Sequence, residues 1–314
     1  MSNLASLAEK LMKRRLIRLI WLHRQTYIML IPGLAFYIIF CYVPMAGLQL
    51  AFKQYSAKLG IWGSKWVGGQ NYSFVFRDPT FWRALTNTVT ISLQRLAFQF
   101  PVPIILALLI NELSHRRYKR VLQTIFTFPH FLSWVIIAGI MFNLFEAKGL
   151  LNNILEALGY AQQNFLGSNS LIRPMLYITE NWKSAGWSAI IYLAAIAGID
   201  MDQYESAIID GASRFQRAVY ITLPGIRETI IILFILAVGG IMNAGFDQIF
   251  NLGNVAVQNK IDMLDWYIYR VTFQGNTDFG FSTAISLMKA VINFTFLLTA
   301  NQISRLVTKT GLFA

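Results

Sequence analysis

Long apolar runs alternate with short polar segments along the whole chain of 314 residues. Each run is close to the ~20 residues that a helix needs to cross the hydrocarbon core of a bilayer, and in lipid the backbone must satisfy its own hydrogen bonds. The pattern therefore predicts an all-α membrane protein with six transmembrane helices, at residues 27–50, 84–110, 121–146, 174–199, 228–250 and 282–302. The fourth span is the weakest, because its fully apolar part begins only at Ala185.

The composition supports a membrane protein, since 55% of the residues are hydrophobic, 13% are charged and the mean hydropathy is +0.49. A net charge of +12 would also suit nucleic acid, but in a membrane protein the distribution of cations between loops matters more than their total. Of the 27 Lys and Arg residues, 15 lie in segments 1–26, 111–120, 200–227 and 303–314, and 9 lie in the alternate segments 51–83, 147–173 and 251–281. Because cytoplasmic loops carry the excess of cations, both termini are predicted to be cytoplasmic, and no nucleic-acid partner is expected.

The segment before the first span has the features of an amphipathic helix. Leu4, Leu7, Ala8 and Leu11 share one helical face, and seven cations including His23 lie nearby. This pattern favours an interfacial helix that binds anionic lipid, with a regulatory or partner-binding arm as the alternative. The single cysteine, Cys41, lies within the first span, so the sequence indicates neither a disulfide framework nor a Cys-based metal site.

The loop at residues 200–227 breaks the charge pattern of the other cytoplasmic segments. It carries Asp200, Asp202, Glu205 and Asp210 against only three arginines. Its apolar and small residues recur at helical spacing, at Tyr204, Ala207, Ile208, Gly211, Phe215, Ala218 and Val219. Pro224 is expected to end this segment before the next span. The pattern predicts a short cytoplasmic helix whose small-residue face suits close docking against another surface.

The same loop resembles the EAA loop of permease subunits of ATP-binding-cassette (ABC) importers. The family pattern is E-A-A, three residues, G, nine residues and I-x-L-P, and the chain follows this spacing with Ser206 in place of the first Ala. The residues that correspond to the pattern or lie within it are Glu205, Ser206, Ala207, Asp210, Gly211, Ala212, Ile221, Leu223 and Pro224. Stretches such as NTVTISLQRLAFQFPVPIILALLINEL and FPHFLSWVIIAGI are similar to the sugar-importing branch, particularly permeases for polysaccharide fragments such as alginate or pectin oligosaccharides, and more distantly to maltose permeases.

The resemblance implies a type I ABC importer permease fold with a cytoplasmic coupling helix, in a bacterial inner membrane. It also implies the partners: a second homologous permease that forms the other half of the pathway, two ATPase subunits that carry ATP and Mg²⁺, and an extracytoplasmic sugar-binding protein. We divide the chain accordingly into an N-terminal helix (1–26), the first span with an external loop (27–83), the permease core with the coupling loop (84–307) and a short tail (308–314).

No catalytic or nucleotide-binding pattern accompanies these features. The sequence contains no G-x-x-x-x-G-K-[ST] phosphate loop, no H-E-x-x-H and no G-x-S-x-G. The three histidines are isolated in sequence, and a satisfied helix-interface residue is the preferred interpretation of His130. We therefore expect a non-catalytic subunit that binds no cofactor or metal of its own.

Ionisable residues within the spans are candidates for the substrate pathway, because placing one at bilayer depth costs at least a few kcal/mol. Counted from the outer ends of their spans, Arg95, Lys183 and Lys289 all fall in the outer half of the membrane. They could form a positively charged vestibule for an anionic, uronic-acid oligosaccharide, with Asn181, Trp182, Asn243, Asp247 and Asn293 as further candidates. The alternative is internal pairing of Lys183 with Glu180 and of Lys289 with Asp247.

Two other classes of protein compete with an ATP-driven importer. An ion-coupled secondary sugar transporter would use Arg95, Asp247 and Lys289 as its coupling site, but such folds usually show inverted repeats and interrupted helices, which the sequence does not indicate. A membrane-embedded enzyme acting on glycans would need a pair of catalytic carboxylates, and no such pair stands out in a predicted pocket.

Overall fold

The computed structural model describes residues 19, 21–243, 245–274 and 278–308. Most of the predicted N-terminal helix and residues 309–314 of the tail therefore lie outside the described residues. Within the described part, four helices are long and apolar enough to cross a membrane, or six if each of two strongly bent helix pairs is one span.

The first span is one continuous helical segment that changes its winding along its length. It consists of α1 (Arg24–Tyr37), a π-helical turn (Ile38–Tyr42) and a 3-10 segment (Val43–Phe52). The most apolar stretch of this segment has no residue buried by the rest of the chain. Only Leu50 and Ala51, near its end, are buried. The span therefore lies at the periphery and contacts the core through its last turn.

A small folded unit separates the first and second spans. Strands β1 (Lys53–Gln54) and β2 (Lys65–Trp66) pair in antiparallel register, with Lys53 opposite Trp66, around the short helix α2 (Gly60–Gly63). Helix α3 (Gln70–Arg77) follows. The ammonium group of Lys53 donates to the carbonyl of Ile61 at 2.9 Å, which closes the hairpin.

The second span comprises α4 (Pro79–Gln99) and α5 (Pro101–Asn111). Asp78 caps α4, since its carboxylate accepts from the backbone N–H of Thr80 at 2.7 Å, and Pro79 occupies the first turn, where no N–H is needed. Pro101 marks the join between the two helices, because it lacks the donor that a continuous helix would use there.

The predicted third span, 121–146, is not one helix. The chain forms α6 (Arg116–Thr127), a 3-10 turn (Phe128–Phe131), α7 (Trp134–Phe145) and α8 (Leu150–Ala157). Pro129 lies in the 3-10 turn, Leu132 is extended, and Ser133 caps α7 by accepting from the N–H of Ile136. The apolar segment of spanning length is Trp134–Ala157.

The fourth span is followed by residues 200–227, for which we keep the name coupling loop after its predicted role. The fourth span is α9 (Ile172–Ile196), and the loop then contains α10 (Met201–Ile209), α11 (Arg214–Arg217), a π-helical turn (Ala218–Thr222) and α12 (Leu223–Gly225). The chain bends by 79° between α9 and α10. The expectation that Pro224 ends the loop helix was wrong by a short distance, since helical structure continues to Gly225 and the break falls at Ile226.

The predicted fifth span, 228–250, is also interrupted. Helix α13 (Arg227–Gly239) begins after a bend of 64°, and α14 (Phe246–Leu252) begins only after a break. Gly239 and Gly240 end α13, and Gly245 has φ +84°, a left-handed conformation that favours glycine. The expectation of uninterrupted spans was therefore wrong at two places.

The remaining helices complete the core. They are α15 (Gln258–Ile261), α16 (Leu264–Tyr269), a π-helical turn (Arg270–Gln274) and the last span α17 (Phe279–Thr308). Buried apolar residues form three clusters. One joins α7, α9 and α14, a second joins the outer part of α4 to α16 and α17, and a third joins α5, the inner half of α9 and Ile226. Helix α9 contributes to two of the three and is therefore central to the fold.

Candidate functional site

The coupling loop, residues 200–227, is organised by local capping interactions. Asp200 caps α10 by accepting from the N–H of Asp202 at 3.1 Å. At the other end Gly211 has φ +79°, and the N–H groups of Gly211 and Ala212 donate to the carbonyls of Ile208 and Ala207. This is a Schellman termination, in which a left-handed residue after the helix is required and glycine adopts it without strain.

A capping box starts the next helix two residues later. Ser213 Oγ accepts from the N–H of Gln216 at 3.3 Å, and the side chain of Gln216 accepts from the N–H of Ser213 at 2.7 Å. The predicted single amphipathic helix is therefore two helices separated by a glycine turn.

The loop presents a mixed acidic and apolar surface. Among the residues predicted for ATPase coupling, Glu205, Ser206, Asp210, Gly211 and Pro224 are exposed, and Ala207, Ala212, Ile221 and Leu223 are partly buried. Large apolar side chains are exposed beside them, with Ile209 at 85%, Phe215 at 77% and Tyr220 at 75%. Exposed apolar side chains of this size in one loop indicate a surface that another protein covers.

The loop is closed by an internal hydrogen bond and is anchored to the spans at its exit. The hydroxyls of Tyr204 and Thr222 lie 2.9 Å apart and join α10 to the π-helical turn, although 18 residues separate them. A Cβ on Gly225 would lie 2.6 Å from Ile199 Cδ1, so the entry and exit of the loop pack closely. Ile226 is 1% exposed and packs with Ala107 and Ile196. Movement of the loop would therefore act directly on the second, fourth and fifth spans.

A cavity of about 420 Å³, the inner cavity, lies between the second, fourth and fifth spans. Two predicted pathway residues, Arg95 and Asn243, line it. Glu180, Gln99, Ser184 and Ser188 provide further polar groups, and Tyr192 provides an aromatic face. The cavity therefore combines apolar walls with a few convergent polar groups, which is the usual composition of a ligand pocket.

Arg95 belongs to a buried network that connects three segments. It is 8% exposed and donates to the side-chain oxygen of Gln248. The amide of Gln248, itself fully buried, donates to Thr179 Oγ1 at 2.7 Å and to the carbonyl of Leu176 at 2.8 Å. A Cβ on Gly245 would overlap the guanidinium of Arg95. Sequence reasoning found Arg95 but missed Gln248 and Gly245, because neither carries charge.

Lys183 does not line the inner cavity. Its ammonium group donates to the carbonyl of His130 at 2.8 Å and to that of Leu132 at 2.5 Å. These carbonyls belong to the interruption between α6 and α7, where helical hydrogen bonding is lost. This interaction replaces the alternative pairing with Glu180, because a broken helix leaves strong acceptors that a partly buried cation can satisfy. The ring of His130 stacks on Trp187 with ring centroids 4.6 Å apart. Its Nδ1 atom is buried without a hydrogen-bond partner among the described residues, so the expectation of a satisfied residue was wrong.

The remaining pathway candidates are dispersed. Lys289 pairs with Asp265 at 2.6 Å, so its expected pairing with Asp247 was wrong. Asp247 is exposed, and Trp182 is 46% exposed. Asn293 accepts from the backbone N–H of Met242 at 3.2 Å, beside the break after α13. Asn181 lines a second cavity, nearer the outer end of α9.

Sequence reasoning missed a group of arginines at the helix ends that the charge distribution predicts to face outward. We call it the outer arginine cluster: Arg83, Arg173 and Arg270. The buried carboxylate of Asp262 lies 2.7 Å from Arg270 and 3.7 Å from Arg83. Arg173 donates to Asn87 Oδ1, and Asn87 in turn donates to the backbone carbonyl of Asp262. Two arginines therefore share the carboxylate of Asp262, and Arg173 is linked only to the backbone of Asp262, through Asn87.

A second outer contact fixes the start of α4. The hydroxyl of Tyr267 donates to the carboxylate of Asp78. Burial of the Tyr267 ring, followed by this hydrogen bond, raises the pKa of the phenol. Burial alone would raise the pKa of Asp78, but hydrogen bonds from Tyr267 and Thr80 lower it below its usual value. Asp78 is thereby held as an ionised cap at the outer end of α4.

In the described part of the chain, no group of three or more His, Cys, Asp or Glu residues has the arrangement of a metal site. The polar groups of the inner cavity are amides, hydroxyls, one arginine and one glutamate. Such a set can bind and orient a polyhydroxylated ligand.

Comparison with known proteins defines the class. A family model described as "Binding-protein-dependent transport system inner membrane component" matches residues 99–309, and the chain belongs to this family. Protein LplB of Bacillus subtilis (strain 168) is 42% identical over 288 residues, which cover 91% of this chain and 90% of that protein. The polygalacturonan/rhamnogalacturonan transport system permease protein YteP of the same organism is 38% identical over 302 residues, which cover 96% and 94%.

Solved structures show the same fold. A bacterial ABC transporter involved in the import of the acidic polysaccharide alginate contains a chain with a TM-score of 0.85 and 38% identity, covering 94% of this chain and 99% of that one. A bacterial alginate ABC transporter in complex with an alginate pentasaccharide-bound periplasmic protein gives a TM-score of 0.86 and 39% identity, covering 95% and 100%. The fold is therefore that of a type I ABC importer permease, which confirms the family identified from the loop at residues 200–227.

Proposed function

We propose that the chain forms half of the translocation pathway of an ATP-driven importer of acidic oligosaccharides. A second homologous permease, encoded separately, supplies the other half, and an extracytoplasmic binding protein delivers the cargo. Two ATPase subunits hold ATP and Mg²⁺ and bind the coupling loops from the cytoplasm, where both termini of the chain also lie. The family membership and the names of the similar permeases support this assembly.

The geometry of the coupling loop carries the proposal. It exposes a carboxylate and large apolar side chains. The Tyr204–Thr222 contact holds the loop together, and the packing of Ile226 and Gly225 fixes it to the spans. When nucleotide binding closes the ATPases, a loop held in each ATPase moves together with these spans. A shift from 1:99 to 99:1 between inward-facing and outward-facing states requires a difference in binding of about 5.5 kcal/mol, which a rigid connection can transmit.

Glu205→Lys tests the coupling role. We expect the complex to assemble and to hydrolyse ATP, with transport reduced at least tenfold, because a cation replaces the carboxylate offered to the ATPase. Uptake into proteoliposomes and ATPase activity are measured in parallel. Glu156→Lys, an exposed position in the segment 147–173, is the control and should transport normally. Unaltered transport by Glu205→Lys would remove this residue from the coupling role.

The choice of an acidic cargo rests on the outer arginine cluster and on Arg95 in the inner cavity. Polyuronates are named as cargo of two of the similar proteins, and the charge of this chain is complementary to them. In Arg95→Ala, uptake of a uronic-acid oligosaccharide should fall about tenfold more than uptake of a neutral oligosaccharide of equal length. Arg95→Lys, which keeps the charge, should retain most of the discrimination. An equal loss for both sugars would contradict charge selection by Arg95.

A further inference from the structure

A second cavity of about 520 Å³ lies beside α4 and the outer half of α9. We call it the outer groove, and its main residues are Gln94, Phe98, Asn169, Arg173, Tyr177 and Asn181. Gln94 and Phe98 lie on a face of α4 that neighbours the face carrying Arg95 and Gln99 in the inner cavity. The outer groove is therefore a separate cavity that shares its two helices with the inner one.

The groove has an aromatic wall with fixed orientation. The rings of Phe98 and Tyr177 stack with centroids 6.0 Å apart and an interplanar angle of 20°. The hydroxyl of Tyr177 donates to the side-chain oxygen of Gln94 at 2.5 Å, so the amide nitrogen of Gln94 keeps its donors for another partner. A pyranose ring has an apolar face of C–H groups and a rim of hydroxyls, and this combination of an aromatic wall with amides suits both.

Arg173 supplies a positive charge at the outer end of the groove. Its Nε and Nη2 atoms donate to the carbonyl of Lys260 at 3.1 and 3.0 Å, and Nη2 also donates to Asn87 Oδ1 at 2.9 Å. These partners are neutral oxygens, so they orient the guanidinium without cancelling its charge. A guanidinium held in this way is prepared for a charge-assisted hydrogen bond to a carboxylate.

The two cavities follow one another along α9. Residues 169–181 border the outer groove, and residues 180–192 border the inner cavity. At about 1.5 Å per helical residue, Arg173 lies roughly 22 Å further out than Ser188. On α4 the two cavities lie side by side at the same depth, but along α9 a cargo that enters from the outside encounters Arg173 of the groove before the inner cavity.

We propose that the outer groove is a saccharide subsite that binds one carboxylate-bearing sugar unit, with its carboxylate on Arg173 and its ring on Phe98 and Tyr177, before the chain of sugars enters the inner cavity. This inference rests on the proposed import of acidic oligosaccharides. It adds a residue, Arg173, that discriminates charge at the entrance rather than at the centre of the pathway.

Transport kinetics of the full complex in proteoliposomes test the subsite. Arg173→Gln should raise KM for a uronic-acid oligosaccharide about tenfold while changing KM for a neutral oligosaccharide of equal length less than twofold, with kcat retained. Phe98→Leu should raise KM about threefold for both sugars, because it removes the ring and leaves the charge. Arg77→Gln and Phe294→Leu, at exposed positions outside the groove, are the matched controls.

Thiol protection provides a readout that does not depend on transport or on the fold of Arg173→Gln. Because Cys41 is the only cysteine, Ser170→Cys in a Cys41→Ser background carries one thiol at the groove. A uronic-acid oligosaccharide should slow its labelling at least fivefold, and a neutral oligosaccharide should slow it less. Gln162→Cys, at an exposed external position, should not be protected.

Unchanged KM in both Arg173→Gln and Phe98→Leu, or protection of Ser170→Cys by glycerol phosphate but not by the oligosaccharide, would overturn the subsite. The latter result would assign the groove to a lipid headgroup. If the unaltered complex imports neutral but not acidic oligosaccharides, the proposed cargo fails instead. Import of acidic sugars that is insensitive to both groove variants would contradict the subsite and leave the proposed function intact.

Discussion

The coupling loop and the inner cavity are built in opposite ways. In the loop, the capping hydrogen bonds join residues two to five positions apart, and the contact between Tyr204 and Thr222 spans 18 positions. In the cavity network, Gln248 is 153 positions from Arg95 and 69 from Thr179. A unit held by local bonds can move as a body, whereas a network between distant segments changes whenever the spans move. The loop is thus suited to transmit motion, and the cavity to respond to it.

The largest effect is expected for Gly245→Ala. The substitution places a side chain on a residue with φ +84° and against the guanidinium of Arg95. We expect it to lower the free energy of unfolding by about 3 kcal/mol. The melting temperature of the purified complex and its transport should both fall. Gly139→Ala, with open space around the added Cβ, is the control. A stable and active Gly245→Ala complex would show that the network tolerates a local change at this position.

Lys183→Met should lower stability by about 2 kcal/mol, because two carbonyls at the interruption of the third span lose their donor. The ratio of acidic to neutral sugar uptake should not change, since the ammonium group holds the backbone and does not line the inner cavity. Thermal unfolding and competition uptake distinguish the two roles. A change in that ratio would restore Lys183 to the list of cargo ligands.

Gly211→Ala should lower the local stability of the coupling loop by about 1 kcal/mol, because an alanine with φ near +79° is strained. The stability of the spans should not change. Transport should fall several-fold while the melting temperature of the spans stays within about 2 °C. Hydrogen exchange of residues 201–217 should rise without a change in α9. Gly33→Ala, in an open position of α1, serves as the reference. Faster exchange in α9 as well would argue against a locally stabilised loop.

The smallest effect concerns the pair of Lys289 and Asp265. A double-mutant cycle with Lys289→Met and Asp265→Asn should give a coupling of about 1 kcal/mol, since both side chains are partly exposed, at 15% and 28%. The same cycle with Asp247→Asn should give no coupling. Equal coupling to both carboxylates would mean that Lys289 changes partner between states of the pathway.

Structural features set by residues a few positions apart, such as helix caps and turns, could be predicted from the sequence. Contacts with a partner that is distant in sequence could not. The acidic bias, Gly211 and the I-T-L-P sequence located the coupling loop, because caps and glycine turns use signals a few residues apart. Pro129 and the Gly239–Gly240 pair were visible as helix breakers, yet the apolar runs around them outweighed them in the prediction of spans. Lys183 stood out in the sequence as a cation inside a span, but its partners are backbone carbonyls, which no residue type reveals.

The sequence by itself determined the class of protein, the six apolar segments and the loop that identifies the family, because hydropathy and capping are properties of contiguous residues. Only the tertiary structure decided that Arg95 and Asn243 share a cavity, that Lys183 holds an interrupted helix and that Arg173 stands at the entrance of the outer groove. These contacts depend on which faces of the helices pack together. In a bundle of similar apolar helices, that pairing is set by the packing of the whole chain and not by any single segment.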